Sequence, residues 1–293
     1  MNEKTENPQV NTDRVADSNG RRIRVGVAMS GGGARGFAHA GALMAIEEAG
    51  LKPDVVAGVS AGSVIAVLYA SGMSPKDIPL LFYNAGFSDF AKFKLGKGGL
   101  FSPDKFKKFI VKNLGKKYKN LEDLPLETYI GVTDLTTGVP AEFHTGEIGP
   151  RMIASCSIPI IFKPVEIEGS YYVDGGVLRN HPAWIIRDKC DLLIGINVSP
   201  LHPGTEIDPT SLMDVAMRAY NLMLKANQND DMQLCDVSVI TPELAHYKVF
   251  DLKNITPVFV SGYIHTRKAL KDAGLWKTSP TIDTIKNIKK ISI

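Results

Sequence analysis

The sequence predicts an α/β protein, a three-layer α/β/α sandwich around a mostly parallel sheet, folded as a single domain. Three observations carry this. Short apolar runs of strand length alternate with runs of helical periodicity. The joints between them are short and marked by glycine, which suits parallel strands linked by right-handed helical crossovers. No internal repeat and no low-complexity linker interrupts the chain after residue 22.

Ile23 to Ser30, IRVGVAMS, is short, apolar and followed by glycines, so it reads as a buried strand. In GFAHAGALMAIEEAG, Phe37, Ala40, Leu43, Met44 and Glu47 recur at helical spacing, and Gly50 closes the helix. VVAGVS is a second strand, and AGSVIAVLYASG a second helix that again ends on glycine. SPKDIPLLFYNA and SPDKFKKFIVKNL each open with a serine cap, a proline at the first helical position and an acid in the first turn, which predicts two more helices. TYIGVTDL, LLIGINVS and VSVITP are later strands, and PVEIEGSYYVDGG predicts a hairpin turning at Gly169-Ser170. PTSLMDVAMRAYNLMLKAN is a long amphipathic helix, and Val258 to Gly274 another.

The totals exclude several classes of function. With 293 residues, 44% hydrophobic and 22% charged, the chain has ordinary globular composition. A net charge of +3 is too small and too dispersed for nucleic acid, and no nucleic-acid motif appears. Cys156, Cys190 and Cys235 are widely spaced and odd in number, which predicts reduced, buried thiols in a cytoplasmic protein and neither a disulfide frame nor a metal site. Residues 1–22 are polar, with no apolar secretory core, and read as a disordered leader ahead of one domain over 23–293. No apolar run reaches the roughly 18 residues that span a bilayer.

Two glycine motifs carry the chemistry. Gly31, Gly33 and Gly36 satisfy G-x-G-x-x-G between a strand and a helix, which is also the dinucleotide fingerprint. That reading demands an acid at the end of the second strand to hold ribose, and Asp54 precedes the strand instead. What ends the second strand is Ser60, within Gly58-Val59-Ser60-Ala61-Gly62. G-x-S-x-G on a strand-to-helix turn is the nucleophile elbow, where a sharp turn lifts the hydroxyl out of the backbone. Acyl transfer also needs donors for the developing oxyanion, and successive amides of a glycine turn form such a nest. Gly31, Gly32, Gly33 and Ala34 are the candidates, with Arg35 adding charge or bracing the loop. A base is the remaining need. Asp174, before Gly175-Gly176, stands at a predicted strand tip, although Asp-Gly is also a common turn.

Together these blocks resemble the patatin-like phospholipase family, the patatin-like lipid acyl hydrolases. The likeness lies in Gly31-Gly32-Gly33-Ala34-Arg35-Gly36, then Gly58 to Gly62, then Asp174-Gly175-Gly176, in that order. ASCSIPIIFKPV, Ala154 to Val165, and the continuation Asn180 and Pro182 resemble it too, so the likeness covers about residues 23–200. The resemblance implies a lipid substrate, a Ser60–Asp174 dyad, an acyl-enzyme and no histidine in the catalytic role. It implies no cofactor, and no calcium-binding loop is visible. Burial should raise the Asp174 pKa, because an exposed aspartate at about 3.9 is a poor base near neutrality.

Two other readings remain open on the residues. A Ser-Asp-His triad of the α/β-hydrolase type is compatible with chain order, since His181, His202, His246 and His265 all follow Asp174. A non-catalytic nucleotide- or lipid-binding module is the other. NAGFSDFAKFKLGKGGLF, residues 84–101, interleaves phenylalanines with lysines and suits either a lid that touches an anionic membrane surface or a loop anchored to the core. Oligomeric state is not legible.

Overall fold

The structure, a computed structural model, describes residues 22–83, 92–93, 101–115, 117–201 and 207–276. Residues 1–21 of the leader expected over 1–22, and most of the segment 84–101, therefore lie outside the described residues, while Arg22 pairs with Asp54.

The strands are β1 (Val25–Met29), β2 (Pro53–Val59), β3 (Lys92–Phe93), β4 (Phe101–Ser102), β5 (Glu127–Asp134), β6 (Val139–Phe143), β7 (Val165–Ile167), β8 (Ser170–Asp174), β9 (Leu192–Asn197) and β10 (Val237–Ile240). The α-helices are α1 (Phe37–Glu48), α2 (Ala61–Ala70), α3 (Asp104–Leu114), α4 (Ile148–Ser155), α5 (Ala183–Ile186), α6 (Leu212–Gln233) and α7 (Ile255–Asp272). Pairing runs β10-β9-β1-β2-β5-β8-β7, with β6 also on β5. The contacts among β10, β9, β1, β2 and β5 are all parallel.

Side chains alternate between the two faces of this sheet, as the pleat requires. Val25, Val27, Met29, Val56, Ile194 and Ile196 face one core, shared with α1, α2, α4 and α7. Ala28, Val55, Ala57 and Leu193 face the other, under α5. The result is the three-layer sandwich. On the first face α1 and α7 touch backbone to backbone: a Cβ at Gly41 would stand 1.9 Å from the Phe259 carbonyl.

The register places two strand ends head to head. Ile130 and Gly131 of β5 pair with both β2 and β6, so those strands occupy opposite edges of β5. Val132 to Asp134 pair with both β8 and β6, which puts β8 on the same edge as β2. β2 runs along that edge as far as Val59 opposite Gly131, and β8 arrives from the other direction with Asp174 opposite Val132.

Three local expectations change. Residues 74–83 form turns and a 3-10 segment, Pro79–Phe82, in place of an α-helix. Pro79 explains this, since it has no N–H to give to the preceding turn. α3 begins at Asp104 with Pro103 as its cap, because Ser102 belongs to β4. The hairpin turns on Glu168-Gly169, both with positive φ (53 and 86), one residue earlier than predicted. A two-residue turn of that twist needs both central residues in the left-handed region.

Candidate active site

Ser60 occupies the joint between β2 and α2 with φ 52 and ψ −122, a region that side chains rarely adopt. Its surroundings hold it there. The Ser60 N–H donates to Ser155 Oγ at 2.8 Å, and the Ser155 hydroxyl donates to the Gly131 carbonyl at 2.7 Å. The Ser60 carbonyl accepts from the Ser63 hydroxyl at 2.6 Å and from the Ser63 N–H at 2.9 Å. The flanking glycines are needed for backbone approach: a Cβ at Gly58 would lie 2.3 Å from the Gly62 carbonyl. This leaves the Ser60 side chain at the N-terminus of α2, the positive end of the helix dipole.

Asp174, at the facing end of β8, is fully buried. Its N–H donates to the Ser157 carbonyl at 3.0 Å, and its Oδ1 accepts from the Gly176 N–H at 2.8 Å. Oδ2 has no hydrogen-bond partner among the described residues. Burial raises its pKa from 3.8 to about 6, opposed by the nearby Ser60 hydroxyl, the Gly176 N–H and the Tyr220 hydroxyl. The two hydroxyls act on the carboxylate by proximity, without closing a full hydrogen bond to Oδ2. A carboxylate near 6 is a far better base at neutral pH than a solvated one.

The glycine loop after β1 is more selective than its sequence suggests. The Gly31 N–H is engaged by Asn180, through Oδ1 at 3.2 Å and the carbonyl at 3.3 Å. The Ala34 N–H donates to the Val249 carbonyl at 2.7 Å, and the Arg35 N–H to the Gly32 carbonyl at 3.3 Å. Arg35 turns its guanidinium away, with Nε on the Tyr247 carbonyl at 2.8 Å and a longer bond to Pro200. The Gly31, Ala34 and Arg35 amides are thus engaged within the fold, Arg35 bracing the loop through its guanidinium, and of the five positions the amides left unengaged among the described residues are those of Gly32 and Gly33. The Gly31 carbonyl accepts from the Ser199 and Ser30 hydroxyls at 2.6 and 3.0 Å. Across a trans peptide that sends the Gly32 N–H the opposite way. Gly33 has φ 59, and a Cβ there would stand 2.3 Å from the Val249 carbonyl.

α6 ties the acid turn to the glycine loop, and nothing local in the sequence announces this. Asn227 Nδ2 donates to the Gly176 carbonyl at 2.8 Å, while its Oδ1 accepts from the Asn180 N–H at 3.0 Å. Asn180 Nδ2 reaches Gln228 at 3.3 Å. Tyr220, Leu224, Asn227, Gln228 and Asp231 share one helical face, and Asp231 binds the Arg179 guanidinium. Ser155 was legible only as part of the ASCSIP block.

The serine opens on a cavity of about 150 Å³, lined mainly by apolar side chains including Phe37, Ile65, Phe82, Phe106, Ile158 and Phe162. Cys156 also lines it, and burial pushes its thiol well up, so it stays protonated. The histidines have other surroundings. His39 Nε2 contacts the Ser30 carbonyl at 2.8 Å and is pushed down to about 4 by burial. His181 is buried and pushed to about 3, with both ring nitrogens unpartnered. His265 pairs with Glu243, His246 is exposed, and His202 lies outside the described residues. Asp174 takes no hydrogen bond from a histidine among the described residues. No cluster of three or more His, Cys, Asp or Glu side chains among them could hold a metal ion, and no described helix is long and apolar enough to cross a membrane.

A strained serine at a strand-to-helix turn, a buried acid and unengaged amides at a glycine loop are the parts that acyl transfer through serine requires. The family model of the patatin-like phospholipases matches residues 27–186, more than half of the chain, and the chain belongs to that family. It is 32% identical over 194 residues to the Lysophospholipase nte1 of Aspergillus fumigatus, covering 62% of this chain and 12% of the fungal protein. It is 26% identical over 274 residues to the NTE family protein Mb2594 of Mycobacterium bovis, covering 84% of this chain and 46% of that protein. YqhO of Bacillus subtilis is 31% identical over 205 residues, covering 58% of this chain and 70% of YqhO. The chain thus spans only a small part of the fungal relative's length.

Proposed function

We propose that the protein is a serine lipid acyl hydrolase that cleaves fatty-acyl esters through a Ser60–Asp174 dyad and an acyl-enzyme. Asp174 takes the Ser60 proton as Oγ bonds to the ester carbonyl carbon. The oxyanion that forms is met by the Gly32 and Gly33 N–H groups. Collapse breaks the ester bond, and protonated Asp174 gives its proton to the departing alcohol. The carboxylate then takes a proton from water as it attacks the acyl carbonyl, the bond to Ser60 Oγ breaks to release the fatty acid, and Asp174 returns the proton to Oγ. The apolar cavity beside Ser60 suits the acyl chain.

One observation supports this reading above the others: β2 and β8 end head to head on β5, bringing Ser60 near the buried Asp174, and among the described residues Asp174 takes no hydrogen bond from a histidine. The fungal relatives are named lysophospholipases, which makes single-chain phospholipids the first substrates to try. The free thiols of Cys156, Cys190 and Cys235 support a reducing, cytoplasmic compartment. The test is fatty-acid release from a defined panel of lysophospholipids, phospholipids and glycerides. We expect turnover of at least one class, lost in Ser60→Ala. Equal release by the variant would defeat the proposal.

A further inference from the structure

The mouth of the Ser60 cavity carries features that the hydrolytic steps leave unused. Ile160 stands at the tip of a turn closed by the Ile161 and Phe162 N–H groups on the Ile158 carbonyl, at 3.2 and 2.9 Å. It has φ 74 and is 58% exposed. Both are unfavourable, because a side chain branched at Cβ resists left-handed backbone and an apolar one resists water. Outliers of this kind persist only where the surroundings over-determine them, and they cluster at functional sites. The flanking Ile158 and Phe162 line the cavity, and the Asp174 N–H anchors the base of the turn at Ser157.

Three lysines each adjoin a cavity-lining residue in the chain. Lys163 follows Phe162, Lys248 precedes Val249 and Lys253 follows Leu252. All three are exposed, and none has an acidic side-chain partner among the described residues. Asp251, the acid in that stretch, accepts from the Lys253 N–H at 2.9 Å and from Asn254 Nδ2 at 3.1 Å. Among the described residues, the acids near the start of α6 are Asp208, which accepts from the Thr210 hydroxyl and N–H, and Asp214 in the first turn. The lysine-bearing segment is latched to the glycine loop, through Arg35 on the Tyr247 carbonyl and Ala34 on the Val249 carbonyl.

We propose that this rim docks on an anionic lipid bilayer, with Ile160 entering the acyl layer and Lys163, Lys248 and Lys253 resting against the headgroups. An exposed apolar tip among unpaired lysines fits that partner, since membrane contact combines apolar burial with attraction to anionic lipid. The proposal rests on the reading that the cavity behind the rim takes acyl chains. Docking there would bring the lipid's own chain to the mouth without its crossing water.

The test is co-sedimentation of the full chain with vesicles of phosphatidylcholine, with and without phosphatidylglycerol, alongside turnover of a short soluble ester. We expect binding to the anionic vesicles that weakens with added salt. Ile160→Ser and the triple change Lys163→Glu, Lys248→Glu, Lys253→Glu should each cut the bound fraction about tenfold or more, with soluble-ester turnover unchanged. Ile160→Gly, which relieves the backbone, should lose binding as Ile160→Ser does. Absence of wild-type binding, equal binding to neutral vesicles, or full binding by the variants would overturn the proposal, the last pointing to another segment such as 84–101. Failure of the hydrolase reading shows separately, as absent ester turnover in a chain that still sediments.

Discussion

β2 and β8 end against the same edge of β5, yet the two ends are built in opposite ways. At Ser60 the cost is in the backbone: φ 52 and ψ −122, held by Ser155 and by glycines on either side. At Asp174 the backbone is relaxed, with φ −49 and ψ 131, and the cost is electrostatic. A carboxylate sits fully buried with one oxygen unpartnered among the described residues. A nucleophile has to be aimed, which is a matter of geometry, whereas a base has to be made hungry for a proton, which is a matter of environment. Stability is given up at both ends, in different currencies, and substitutions can tell them apart.

The largest effect expected is on turnover. Ser60→Ala and Asp174→Asn should each lower kcat for a soluble ester by about a thousandfold or more, the scale on which removing one member of a catalytic unit acts. A Ser-Asp-His triad would lose its rate in Asp174→Asn as well, and is told apart by a loss of comparable size on substitution at His181 or His265, which the dyad does not predict.

Stability should next separate the two ends. The folded pKa of Asp174, about 6, exceeds its unfolded value of 3.8, so the native state holds the extra proton between those values. Its contribution to stability therefore falls as pH rises through that window, by roughly 3 kcal/mol in all, and stays lost above it. Asp174→Asn should abolish this slope and be more stable than the parent at pH 8 in urea titrations. Ser60→Gly should gain about 1 kcal/mol at every pH, by removing the Cβ from a strained turn, while Ser60→Ala should gain little. If Ser60→Ala were as stabilising as Ser60→Gly, backbone strain would not be the cost at that end.

The smallest effect sharpens the acid end alone. Tyr220 favours the charged form of Asp174. Tyr220→Phe should therefore move the acid limb of the kcat/KM profile upward from near pH 6, by about half a unit to one unit. A uniform fall in rate with an unmoved limb would assign Tyr220 a packing role only.

The same contrast explains what could be read from sequence. The elbow is local: strand, G-x-S-x-G and helix follow one another, so Ser60 and its strain are visible in five letters. The glycine loop was legible as a nest, but which amides it leaves unengaged depends on Asn180 and Val249, far along the chain. The acid was legible as a residue. Its burial was not, because that comes from β5 and α6, and Tyr220 and Asn227 look like any other positions on an amphipathic helix. The cap signals of SPKDIPLLFYNA point to a helix, but Pro79 within it has no N–H to give, and the segment turns instead.

Mass spectrometry of the protein quenched during turnover of a slow ester tests the central claim most directly. The account predicts one acyl group, located on the peptide carrying Ser60, accumulating in the parent and absent from Ser60→Ala. An acyl group found on Cys156, or steady hydrolysis with the Ser60 peptide never modified, would contradict it.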